Sequence, residues 1–151
     1  MNLARVLGRA AAVAALTAAP LAASGPAQAA TYDGQDPIAT GCASSAITAE
    51  STPIYRGDLT QVGTIQLRYS TSCRTAWARI ITPLSTGVAF VYRNTGGAEG
   101  CPGSGNALTW SSTLGDYTCY TPMLNDANVA SYGWGVVDGW WGSSQGTTPS
   151  Y

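Results

Sequence analysis

The chain has 151 residues, 45% of them hydrophobic, with seven basic side chains against eight carboxylates and no histidine. All seven basic residues are arginine, so there is no imidazole base, no Schiff-base amine and no phosphate-binding lysine, which excludes histidine triads, imidazole metal sites and P-loop chemistry. The weakly acidic balance also lacks the cationic footprint that nucleic acid or an anionic membrane surface requires, so neither is expected as a partner.

The first stretch, MNLARVLGRAAAVAALTAAPLAASGPAQAA, has Arg5 and Arg9 in a basic head, an apolar run from Ala10 to Ala19, and small residues at Ala27 and Ala29. That pattern predicts a secretory signal peptide over residues 1–29, cut between Ala29 and Ala30. The apolar run is broken by Thr17 and Pro20 and falls short of the roughly 20 strongly apolar residues of a spanning helix. A product outside the cell is expected, with no membrane insertion after cleavage. Two arginines leave with the leader, so five then face eight carboxylates and the net charge becomes −3. What remains suits one modest core, expected over residues 30–142, followed by a flexible tail at 143–151.

Cys42, Cys73, Cys101 and Cys119 all lie beyond the leader, and an even count in a small exported domain reads as two disulfides. Three connectivities are open. Loop-closure entropy favours Cys42 with Cys73 and Cys101 with Cys119. Spacings of 31, 28 and 18 without a CxxC argue against a metal site, and no cofactor is expected.

In chain order, residues 30–41 are turn-rich, with Asp33-Gly34 and Asp36-Pro37 suited to Asx turns rather than calcium, because the alternating ligand pattern of a calcium loop is missing. Ala46 to Glu50 reads as a short strand stopped before Pro53, Ile54-Tyr55 as a second short piece, and Arg56-Gly57-Asp58 as a turn. Gly63 to Ser70 alternates Ile65, Leu67 and Tyr69 with Gln66, Arg68 and Ser70, the period of a half-buried strand. Ala76 to Ile81 offers it a hairpin partner. Trp77, between two alanines, is expected in the core, and Tyr69 and Arg79 in structural roles, with Arg68 and Arg79 on one covered side of the hairpin. Gly87 to Arg93 is the next strand, with Val88, Phe90 and Tyr92 on one side. Residues 98–112 read as a loop, Tyr117 to Thr121 as a strand, and 122–131 as a helical turn or a loop packing Met123 and Leu124. Gly135 to Asp138 reads as an edge or closing strand. The fold expected is mostly β, a small disulfide-stapled barrel or sandwich of five to seven short antiparallel strands.

The eight carboxylates are Asp33, Asp36, Glu50, Asp58, Glu99, Asp116, Asp126 and Asp138. Most stand at turns, where water keeps them ionised and unsuited to general-acid work, so an enzyme is not expected and no catalytic residue is named; a carboxylate-based cell-wall or glycoside hydrolase is the weakest alternative. Binding is easier to accommodate. Tyr132, Trp134, Trp140 and Trp141, crowded among glycines, are the candidate contact residues, either for another secreted or surface protein or for a glycan, because rigid rings give contact area at low entropy cost. The competing role for these rings is to complete a core poor in large residues. Nothing in the sequence specifies an oligomeric state.

The runs TYDGQDPIATGC, Thr31 to Cys42, and LRYSTSCRTAWARI, Leu67 to Ile80, resemble an actinobacterial extracytoplasmic domain family of unknown function with the motifs YDGxDPxxTGC and LRYSxxCxxxWAR. The resemblance covers residues 31–95. It implies an extracytoplasmic protein without specifying an activity, and it supports pairing of Cys42 with Cys73, both of which lie inside the motifs. Nothing beyond Cys101 is covered by it.

Overall fold

The computed structural model describes residues 32–151, and the expected leader and its cleavage site lie outside that range. The strands are β1 Ala46–Tyr55, β2 Gln61–Ser70, β3 Thr75–Thr82, β4 Gly87–Arg93, β5 Ala98–Cys101, β6 Thr109–Ser111, β7 Asp116–Tyr120, β8 Leu124–Asn125, β9 Ser131–Gly139 and β10 Gly142–Thr147. One sheet runs β1-β2-β3-β7-β6, with β8 also on β3, and the other runs β10-β9-β4-β5. All pairings are antiparallel, and the two sheets pack face to face as a sandwich, β2 and β3 against β9 and β4. The mostly β architecture expected from the sequence is therefore the one that forms, as a sandwich and not a closed barrel.

The β2–β3 hairpin is the centre of the first sheet. Its inward pairs are Ile65 with Ile80 and Leu67 with Ala78, all fully buried. Opposite them the second sheet offers Ala89, Val91, Val137 and two glycines of β9. A Cβ on Gly135 would lie 3.0 Å from Ile65 Cδ1 and 3.2 Å from Ile80 Cδ1, so the sheets meet there with no room for a larger side chain. The fully buried residues between the sheets are aliphatic and small.

Four local expectations change. Pro53 does not stop a strand: β1 runs through it, because β1 is an edge strand and the missing N–H faces no neighbour. A register shift between Thr48 and Glu50 marks a bulge in the same strand. Within the expected loop 98–112 the chain makes β5 and β6, held by pairing to β4 and β7. β9 is an interior strand rather than an edge, since β10 pairs along it from Gly142 to Thr147. The segment expected as a flexible tail is thus part of the sheet, and beyond it Thr148 donates its amide to Gly133 and Tyr151 exchanges backbone hydrogen bonds with Ser131. A strand with few apolar residues is ordered here by the ladder it joins.

Between β7 and β8 the chain steps off β3 at Thr121. Its amide reaches the Ala78 carbonyl at 2.9 Å and its hydroxyl accepts the Ala78 amide at 3.1 Å, so the break leaves neither β3 group unpaired. Both disulfides form as favoured: Cys42–Cys73, with Cα atoms 5.7 Å apart, and Cys101–Cys119, at 6.0 Å. The first ties the 3-10 turn Cys42–Ser45 to the β2–β3 turn, and the second ties β5 of one sheet to β7 of the other.

Candidate ligand-binding face

The outward side of β4 and β9 follows from their register. Phe90 pairs with Trp134 and Tyr92 with Tyr132, while Ala89, Val91, Gly133 and Gly135 point to the core. The four outward rings form one block. Tyr92 and Tyr132 stack with centroids 5.2 Å apart, Phe90 and Tyr92 at 6.0 Å, and Phe90 and Trp134 meet at 5.8 Å and 45°. Phe90 also lies across β5, where a Cβ on Gly100 would come within 2.5 Å of its Cε1. The glycine is what lets that ring settle onto the neighbouring strand.

Beside the block, Tyr92, Tyr132, Trp134, Thr147, Thr148 and Ser150 line an open cleft of about 670 Å³. Thr148 is structural: its hydroxyl accepts the Gly133 amide at 2.9 Å and donates to the Pro149 carbonyl at 2.8 Å. The hydroxyls of Tyr92, Tyr132, Thr147 and Ser150 and the indole N–H of Trp134 have no hydrogen-bond partner among the described residues. Among the described residues, the one charged side chain at the outward positions of β4 and β9 is Asp138, at the far end, where it accepts from the Ser143 hydroxyl at 2.6 Å and the Asn106 amide at 3.3 Å. The face therefore combines aromatic surface, free hydroxyls and no unpaired charge.

Of the four candidate contact residues, the structure brings Tyr132 and Trp134 together and leaves Trp140 and Trp141 elsewhere. The latter pair forms the tip of the β9–β10 hairpin, closed by Gly142 at φ 104°. Trp140 is 88% exposed, while Trp141 folds over Gly139 and packs on the core, its N–H directed at Ser144 Oγ at 3.3 Å. Arg56 from the β1–β2 turn lies 5.1 Å from the Trp141 ring, and its own charge is met by Asp58 at 2.5 Å. Phe90, Tyr92, Thr147 and Ser150 are members of the face that reading the sequence for aromatic clusters did not select. The alternation Val88, Phe90, Tyr92 was the available signal.

The residues expected in structural roles, Tyr69, Trp77 and Arg79, lie as follows. Tyr69 packs on Tyr151 with centroids 5.3 Å apart. Trp77 is 4% exposed, although it sits on the outer side of the first sheet and not between the sheets: Cys42 and Met123 are buried with it, and Tyr32, Ala43, Cys73 and Tyr120 pack around them. Arg79 forks onto Gln66 Oε1 through Nε at 3.1 Å and Nη2 at 2.7 Å. The arm that covers this side is fastened by its aspartates. Asp36 Oδ1 accepts the Ile38 and Ala39 amides at 2.7 and 3.0 Å, the expected Asx turn, and Oδ2 accepts the Tyr120 hydroxyl at 3.2 Å. The Ala39 amide above all holds the Asp36 carboxyl below its usual range, and burial followed by that same carboxylate pushes Tyr120 up. Asp33 pairs with Arg93 at 3.1 Å and accepts the Asn125 amide. Asp126 is buried under the start of β9, accepting the Ser131 hydroxyl at 2.7 Å, and burial pushes its carboxyl up to about 6. No group of three or more acidic or cysteine side chains placed to hold a metal occurs among the described residues, nor does a helix long and apolar enough to cross a membrane.

A family model described as a protein of unknown function, DUF2690, matches residues 30–133. The chain belongs to that family. The chain is similar to an uncharacterized protein, YjfA, of Bacillus subtilis (strain 168), 34% identical over an alignment of 118 residues with 72% of each chain covered. No solved structure matches. The DUF2690 match runs well past residue 95, where the motif resemblance ended, and takes in both disulfides together with Phe90, Tyr92 and Tyr132; it stops one residue before Trp134.

Proposed function

We propose that this is a secreted, actinobacterial, non-enzymatic binding protein that takes a neutral glycan on the outer face of β4 and β9. The observation that carries the reading is the block of Phe90, Tyr92, Tyr132 and Trp134 bordered by hydroxyls and an indole N–H without hydrogen-bond partners among the described residues. Sugars present apolar C–H faces and a ring of hydroxyls, and an aromatic surface edged with free donors and acceptors meets both demands. The lack of an unpaired charge on the face suits a neutral chain. Two disulfides and a leader of secretory type support the extracellular setting. The carboxylates support binding over hydrolysis: Asp33, Asp36, Asp58, Asp126 and Asp138 are each engaged by partners, and the one with a raised pKa, Asp126, is buried away from the cleft residues.

The test is retention of the disulfide-intact protein without its leader on cellulose, chitin and purified cell-wall peptidoglycan, with soluble oligosaccharides as competitors. Retention on one polysaccharide, lost in Trp134→Ala and Tyr132→Ala variants that melt like the parent, is expected. Equal retention of parent and variants, or none on any polysaccharide, overturns the reading.

A protein partner is the second reading, favoured by a different place. Leu59, 81% exposed at φ 65°, and Trp140, 88% exposed, stand on neighbouring turns, and a leucine in the left-handed region carries a backbone cost that a glycine there would avoid. Affinity capture from the producer's culture fluid with parent and Trp140→Ala protein separates the two, since only a partner at the tip is lost with Trp140.

A further inference from the structure

On the outer side of the first sheet, Arg68 and Arg79 come from neighbouring strands at diagonal positions, since Arg68 pairs with Trp77 and Arg79 with Gln66. Both are half-buried, and neither forms an ion pair among the described residues, whereas Arg56 and Arg93 have Asp58 and Asp33. Arg68 donates to the Thr48 hydroxyl and to the Ala46 carbonyl at 3.4 Å, and Arg79 to Gln66, all neutral acceptors. Burial pushes both guanidiniums below their usual value, and for Arg79 the Arg68 charge adds to the effect. Two like charges held out of water beside one another are unfavourable unless an anion joins them.

The space they border is defined. Pro37, Ile38, Trp77 and Tyr120 join the two arginines around a pocket of about 240 Å³, and no carboxylate lines it. The indole N–H of Trp77 has no acceptor among the described residues, and because no buried side-chain nitrogen is left unsatisfied, that N–H belongs to the small part of the ring that reaches the surface. Tyr120 is turned to Asp36, whose carboxylate is already filled by two amides and the phenol.

We propose that this pocket is a binding site for a small oxyanion, a carboxylate or a phosphate monoester with a short apolar group. Guanidinium forks match either head group, and the Pro37, Ile38 and Trp77 walls take the apolar part. The site stands on the opposite sheet from the aromatic face and does not depend on it.

The experiment is an NMR titration of the disulfide-intact protein at low ionic strength with acetate, butyrate, inorganic phosphate and methyl phosphate, following the Trp77 indole and Arg79 Nε–H signals. Potassium chloride at matched ionic strength is the control. A saturable shift with a carboxylate or a phosphate and none with chloride is expected, and comparison of the two series tells which head group the site prefers. Arg68→Gln should weaken binding about tenfold or more, and Arg79→Lys, which keeps the charge but loses the fork, should weaken it less. Identical shifts with chloride, no saturation with any of the four anions, or unchanged affinity in an Arg68→Gln variant that melts like the parent overturns the site.

Discussion

Trp77 and Trp134 each stand on the outer side of a sheet, in the middle of a strand, with small residues as chain neighbours. Trp77 is roofed by the arm that Cys42–Cys73 and Asp36 pin down, and it is 4% exposed. Trp134 has only its ring neighbours and the cleft beside it, and it keeps part of its surface in contact with solvent. Residue type does not separate them. Among the described residues, a cover over one sheet makes its Trp77 part of a second small core, and the other sheet has no such cover over its rings.

The sharpest way to break this comparison is to truncate both rings. Trp77→Ala should cost about 3–5 kcal/mol in urea unfolding, the scale of a large core truncation. Trp134→Ala should cost about 1 kcal/mol or less while abolishing polysaccharide retention. Similar stability losses from the two would erase the distinction. Removing the pin comes next. The Cys42→Ser, Cys73→Ser pair should lower stability by about 2–4 kcal/mol, with Trp77 fluorescence moving to the red and retention on polysaccharide preserved.

Asp126 tests the anchoring of the open face, since it holds Ser131 at the start of the strand that carries Tyr132 and Trp134. Burial raises its carboxyl from 3.8 to about 6, so the folded state binds the proton more tightly than the unfolded chain does. That preference stabilises the fold in full below about pH 4 and is lost as the pH rises through 6. Asp126→Asn, which still accepts from Ser131, should therefore be about 1–2 kcal/mol more stable than the parent at pH 8 and gain nothing at pH 4, as read from melts at both pH values. The smallest effect belongs to Trp140→Ala, which should change stability by less than about 0.5 kcal/mol because the ring is 88% exposed.

The strand β2, the disulfides and the strand β4 were legible in the chain. Ile65, Leu67 and Tyr69 alternate cleanly, the cysteines paired as loop entropy favours, and Gly87 to Arg93 is bounded as read. The polar strands were harder because their own residues carry no hydrophobic period. β5, β6 and β10 have few apolar residues, and each is a strand because it pairs with the adjacent arm of a hairpin, β4, β7 and β9. Pro53 is a breaker only where its absent N–H would be missed, and edge position is a property of the whole sheet. For the candidate site, Tyr132 and Trp134 could be named from composition, but their union with Phe90 and Tyr92 depends on the β4–β9 register. The run Tyr132-Gly133-Trp134-Gly135 carried a period of two that points its glycines inward, whereas reading it as aromatic density placed Trp140 and Trp141 with the same group.

Those inward glycines have a consequence for how the face can change. On β9 a Cβ at Gly135 would press on Ile65 and Ile80, while one at Gly133 would make only ordinary contacts, so at these two glycines the interior sets no side chain that must be matched when Tyr132 or Trp134 is exchanged. Packing constraint and outward display are separated onto alternate residues of one strand. On the proposed binding reading, single substitutions among aromatic, amide and hydroxyl side chains at the outward positions of β9 would alter what the face selects while the sandwich beneath stays as it is.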